Sequence, residues 1–195
     1  MPILAETRLE ACFDELRRRL NDPDALNPAH SDPIFYLVYS PGQILRVRRL
    51  LPGWIARLRN EAGLNVEILS LSEAVWDIID SSGRWAAWLE IEPEYDQEEV
   101  NEAIRDVLRQ DGALVKRVAE NVSMPRDKTI LFITDVELLH PYARSRTIES
   151  YLKNKVKIPI VFFYPGERIG QYGLRFLGFY PEDPGYRSTL IDCMA

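Results

Sequence analysis

The sequence has little of what catalytic and metal sites are usually made from. It contains two cysteines and two histidines in 195 residues. Cys12 and Cys193 stand at opposite ends of the chain and form no CxxC pair, so the usual ligands of a structural zinc or of dithiol redox chemistry are missing. A disulfide between such remote residues stays open, but two reduced thiols is the expected state in a cytosolic protein. His30 and His140 cannot make a three-histidine zinc site, and no HExxH occurs. No GxSxG marks a serine nucleophile. No Gly-Lys dipeptide exists, which excludes a phosphate-binding P-loop, and Gly166, Gly170, Gly173 and Gly178 are not spaced as GxGxxG. The N-terminus lacks a basic stretch followed by an apolar one. The longest apolar run, near Ile158 to Tyr164, is far too short to cross a bilayer. A cytoplasmic protein with no membrane partner is expected.

What is present suits a well-packed α/β domain. Hydrophobic residues make up 46% of the chain, enough to bury a sizeable core. The formal net charge of −6 argues against autonomous binding to duplex DNA. Charge is distributed in blocks. Arg46, Arg48, Arg49, Arg57 and Arg59 lie in a stretch without acids, whereas Glu90, Glu92, Glu94, Asp96, Glu98, Glu99 and Glu102 lie in one without bases. Such blocks read first as solvated helix faces and second as docking surfaces.

Periodicity supplies the elements. Leu9, Phe13, Leu16 and Leu20 share one face of an amphipathic helix, and Pro23, Pro28 and Pro33 then break the chain. Ile34–Tyr39, Thr129–Thr134 and Pro159–Tyr164 are continuous apolar runs, as in strands buried on both faces. Pro165 and Gly166 are expected to stop the last of these. Val66, Ile68, Leu69 and Leu71 suggest another strand, and Tyr186–Ile191 a fifth. Ile44, Val47, Leu51, Ile55 and Leu58 keep helical phase through Pro52, and Gly63 is a natural cap. Ser70 with Glu73 and Asp96 with Glu99 carry helix-start signals. Asp135 is expected to N-cap a helix reaching about Lys155. No place is evident for the segment Trp85–Glu94. The prediction is a mostly parallel sheet of about five strands with helices on both faces, P-loop-like or Rossmann-like without a Walker A motif. Residues 1–33 form a helix and proline-containing linker, and residues 34–195 form a single α/β domain.

Candidate chemistry is sparse. Asp135 at a strand end resembles a Mg²⁺-holding carboxylate but has no phosphate loop beside it. A Ser40, His140 and Asp135 triad can be drawn only from loop positions. Arg144 and Arg146, with Lys153, Lys155 and Lys157, suggest a basic helix. The segment Tyr164–Gly178 (YPGERIGQYGLRFLG) reads as a glycine-rich loop carrying Tyr172 and Phe176 at a strand's carboxyl end, where ligands bind in parallel sheets.

The blocks LFITDVELLHPYARSRTI, PIVFFYPG and LRFLG, with the opening IFYLVYSPGQILRVRR, resemble the BrxB family of BREX phage-defence systems over roughly Ile34 to Ile191. The resemblance implies a subunit without known enzymatic activity, cofactor or metal. Its expected partners are other BREX-type subunits: a PglZ-like phosphatase-superfamily protein first, then a DNA methyltransferase or a large ATPase. A homodimer stays open. The candidate partner-binding residues are Arg144, Arg146, Tyr164, Pro165, Gly166, Tyr172, Arg175, Tyr186 and Arg187. A degenerate nucleotide-binding domain retaining Asp135 is the alternative from another class, and an enzyme using the glycine-rich segment is a third.

Overall fold

A computed structural model describes residues 2–26, 32–91 and 94–194; Pro28 of the linker, His30 and Glu92 of the acidic block lie outside them. The apolar runs become strands β1 (Ile34–Tyr39), β2 (Asn65–Ser70), β3 (Thr129–Thr134), β4 (Ile160–Ile169) and β7 (Thr189–Asp192). These five pair in the order β2-β3-β4-β1-β7, and every contact along that path is parallel. Tyr36 of β1 lies opposite Phe162 of β4 and Phe132 of β3 opposite Val161. Because successive strand residues point to opposite faces, each central strand feeds two cores. Tyr36, Leu131, Ile133, Phe162 and Tyr164 enter one; Phe35, Leu37, Phe132, Val161 and Phe163 enter the other.

The second of these cores is covered by two long helices, α1 (Pro2–Leu20) and α2 (Ile44–Ala62). The heptad-like stripe of α1 (Leu9, Phe13, Leu16 and Leu20) is buried, and Phe13 stacks on Trp54 of α2 with ring centroids 5.0 Å apart. Helix α2 runs through Pro52, whose ring faces solvent, and ends at Gly63 with φ 64, a left-handed conformation that glycine adopts without strain. Arg57 bridges Glu10 (2.8 Å) and Asp14 (2.7 Å) of α1, and Arg59 donates to the Val66 carbonyl (2.9 Å). Part of the arginine block is therefore spent inside the molecule.

The other core is covered by short helices: α3 (Leu71–Ser81), α4 (Trp85–Ile91), α5 (Gln97–Arg109), α6 (Ala113–Glu120) and α7 (Ser145–Leu152). Leu71 opens α3 rather than closing β2, because Ser70 caps it by accepting from the Glu73 N–H. Asp96 and Glu99 form a reciprocal capping box on α5, whose Ile104, Val107 and Leu108 are buried. Helix α6 had no clear signal in the sequence; it follows Asp111 and Gly112, both at positive φ.

Two expectations are corrected. Strand β4 does not stop at Pro165 and Gly166 but continues to Ile169. Pro165 lies opposite Tyr39, the last residue of β1, so the ladder has little further need of its missing N–H. Beyond it β4 changes partners, pairing antiparallel with β5 (Gly173–Phe176), which pairs in turn with β6 (Glu182–Asp183). A Cβ at residue 166 would lie 2.4 Å from the Arg175 carbonyl oxygen and 2.5 Å from the Tyr164 ring, so glycine permits this close crossing. The glycine-rich segment is thus a β-hairpin rather than a loop. The helix expected from Asp135 to Lys155 is also interrupted. Asp135 has φ 57, a short 3-10 turn spans Val136–Leu139, Pro141 intervenes, and α7 occupies Ser145–Leu152. Lys153, Lys155 and Lys157 fall after that helix, so no basic helix face forms. Cys12 and Cys193, far apart in sequence, are both buried and free, as expected of reduced thiols, and their thiols hydrogen-bond each other. That bond and burial push the Cys193 thiol well above its ordinary range.

Candidate functional site

The carboxyl ends of the parallel strands carry two polar networks. The first surrounds Asp135 after β3. Its side chain caps no helix. Arg48 of α2 donates to Asp135 (2.7 Å) and to Glu137 (2.9 Å), while the hydroxyls of Ser70 (2.6 Å) and Thr134 (3.2 Å) donate to the other Asp135 oxygen. The carboxylate thus ties the ends of β2 and β3 to α2, which corrects its expected role as an N-cap. Burial raises the Glu137 carboxyl above its usual range despite Arg48. His140 does not face Asp135; its Nδ1 meets the Tyr180 hydroxyl. The drawn triad is not assembled.

The second network lies where β1, β4 and α7 converge. Tyr36 stacks on Phe162 (4.7 Å) and meets Tyr164 (5.6 Å) and Tyr186 (5.1 Å) edge-on. Its hydroxyl donates to Glu149 of α7 (3.2 Å), and Ser188 donates to the same carboxylate (2.6 Å). Tyr186 donates to Asp183 (3.4 Å) and lies 3.5 Å from the Ser145 hydroxyl; Asp183 also accepts from Arg146 (2.8 Å). Burial holds the hydroxyls of Tyr36, Tyr164 and Tyr186 above the ordinary phenol range and raises the Glu149 carboxyl. A cavity of about 250 Å³ opens above this network, lined by Arg144, Ser145, Tyr164, Phe176, Tyr180 and Asp183 among others.

An aromatic cluster rims that cavity. The Arg144 guanidinium sits 3.6 Å from the centroid of Tyr180, which stacks on Phe176 (5.6 Å) and contacts Phe179 (4.7 Å). His140 meets both Phe179 (5.4 Å) and Tyr180 (5.3 Å) edge-on. Burial, then the Arg144 charge, lowers the His140 pKa, so the ring is held toward its neutral form. Phe179 is 63% exposed and Tyr172, at the hairpin tip, 56% exposed. The Tyr172 carbonyl accepts from the Tyr186 N–H (2.9 Å), which ties the tip to the network beneath.

The candidate residues therefore divide. Tyr164, Pro165, Gly166 and Tyr186 are buried and shape the site from below rather than offering contact surface. Arg144 lines the cavity against Tyr180, and Arg146 pairs with Asp183 at its edge. Tyr172 and Arg187 are exposed, and Arg175 pairs with Glu167 across the hairpin (3.1 Å). Phe179 and Tyr180 were missed as site residues, and His140 was considered only for a triad, although three aromatics at 176, 179 and 180 after a strand were the available signal. Among the described residues, no group of three or more His, Cys, Asp or Glu could hold a metal, and no helix is long and apolar enough to cross a membrane.

These features define an open, mostly parallel α/β protein whose strand ends are occupied by its own ion pairs and tyrosines, with an aromatic rim beside them. A family model described as BREX protein BrxB matches residues 67–191. The chain belongs to the BrxB family. A BREX protein BrxB of Bacillus cereus (strain H3081.97) is 29% identical over 164 residues, covering 81% of this chain and 83% of that protein. No solved structure matches.

Proposed function

We propose that this protein is a non-catalytic, protein-binding subunit of a BREX-type antiviral defence complex, and that it docks its partner through the β4–β5 hairpin and the aromatic segment that follows. The observation that carries the reading is the exposure of Tyr172 at the tip of the β4–β5 hairpin and of Phe179 just after it, with Arg175 on the hairpin and Arg144 over the adjoining Tyr180. Tyrosine and arginine are enriched among residues that dominate binding energy, and a hairpin presents them at little entropic cost. The engagement of Asp135 by Arg48, Ser70 and Thr134 also favours a binding role, since a metal-nucleotide would have to displace all three. A PglZ-like protein is the first partner to examine, and the net charge of −6 favours a protein over naked duplex DNA.

The test is co-purification with a PglZ-like protein from the same defence system. Tyr172→Ala combined with Arg175→Ala, and Phe179→Ala alone, should abolish or sharply weaken the complex while leaving the melting temperature unchanged. A complex retained by both variants, or calorimetric binding of Mg-ATP at micromolar affinity, would overturn the reading.

A further inference from the structure

Helix α4 has the composition of a core element in an exposed position. Its seven residues (WAAWLEI) carry a single charge, and Trp88 packs against the core. Ala86 and Ala87 are exposed, Trp85 is 41% exposed and Leu89 is 52% exposed. Trp76 of α3, 51% exposed, meets Trp85 edge-to-face at 5.7 Å. Two indoles and a leucine thus form an apolar surface turned to water, a feature that marks interaction sites.

The surroundings state what kind of partner fits. Glu73 and Asp80 lie three and four residues from Trp76 on the same side of α3, and Glu90 and Glu94 follow Leu89. All four are exposed and have no ion-pair partner among the described residues. Of the nearby arginines, Arg117 is neutralised by Asp77 (3.0 Å), whereas Arg84 donates only to the uncharged Gln110 amide (3.4 Å) and keeps its charge. Four acids against the single charge of Arg84 leave the apolar patch in a net negative surround, and exposed indole faces attract cations as well.

We propose that the α3–α4 surface is a second docking site, which takes a protein segment with an apolar anchor flanked by lysine or arginine. It shares no residue with the hairpin surface and does not depend on it. A chain with both surfaces can hold two partners of different chemistry at once.

The full chain is titrated by calorimetry with two synthetic amphipathic peptides of roughly 15 residues that share one leucine stripe. One flanks the stripe with Lys and Arg, the other with Glu. The basic peptide should bind and the acidic one should not. Trp85→Ala combined with Leu89→Ala should weaken binding at least about tenfold, as should Leu89→Lys alone, whereas Tyr172→Ala should leave it unchanged. These side chains are exposed, so the melting temperature should stay constant. Absence of basic-peptide binding, equal binding of both peptides, or affinity unaffected by the α4 variants would overturn the proposal. Sedimentation showing a dimer of the chain alone that the α4 variants dissociate would also overturn it, by making a second copy the occupant.

Discussion

The two faces of the sheet are built on different plans. One is sealed by α1 and α2, two nineteen-residue helices locked together by Phe13 on Trp54 and by Arg57 between Glu10 and Asp14. The other is tiled by five helices among the described residues, the longest of thirteen residues, and holds a half-buried Glu149 and three buried tyrosines in its packing. Long regular helices close one core with few interruptions. Short helices leave ends, turns and uncovered side chains, and the exposed Trp76, Trp85 and Leu89 lie on them. The sealed face leaves few breaks in its cover, and the tiled face carries the two exposed tryptophans.

Substitutions on the two faces can break or sharpen that contrast. The largest effects are expected from Phe162→Ala on the tiled face and Trp54→Ala on the sealed one, each costing about 3–5 kcal/mol because both side chains are fully buried. Thermal or denaturant melts measure both. If Phe162→Ala melted like the native protein, the tiled face would have to be loosely packed. Next comes Gly166→Ala at the crossing of β4 into the hairpin. A methyl group 2.4 Å from a backbone carbonyl must push something aside, at about 1–3 kcal/mol. Hydrogen exchange should place the loosening in β5 rather than in β1. Arg57→Ala should cost about 1 kcal/mol, since its partners are half-exposed acids in a small network, and the loss should shrink at high salt.

The smallest effect concerns pH and belongs to the tiled face alone. Burial raises the Glu149 carboxyl in the folded state above its value of about 4.3 in an unfolded chain. The contribution of this group to stability is therefore complete below the unfolded value and is lost as pH rises through the folded one. Glu149→Gln, which can still accept from Tyr36 and Ser188, should flatten that part of the stability profile. An unchanged slope would mean that the carboxylate is ionised at no cost.

Much of the fold was legible because the signals are local. Ile34–Tyr39 and Thr129–Thr134 read as strands from unbroken apolar runs, and Leu9, Phe13, Leu16 and Leu20 as a helix face from spacing alone. The site was far less legible. Tyr164 and Tyr186, at the ends of strand-like runs, were candidate contact residues, yet both are buried, while Phe179 escaped notice in a segment with no periodicity. A turn-rich stretch says that the chain bends; it does not say which side chains the bend turns inward.

The sequence by itself determined the fold class, the two-faced burial of the central strands, the capping of α5 and the absence of nucleotide and zinc motifs. These follow from the identities of residues within a few positions of one another, where backbone geometry leaves few choices. The tertiary structure alone decided that Asp135 binds Arg48 instead of capping a helix, that Cys12 meets Cys193, and that the glycines after Pro165 fold into a hairpin. Each of these pairs groups from separate elements, so each was fixed only when the parallel sheet set the distance between its strand ends and the helices packed on them.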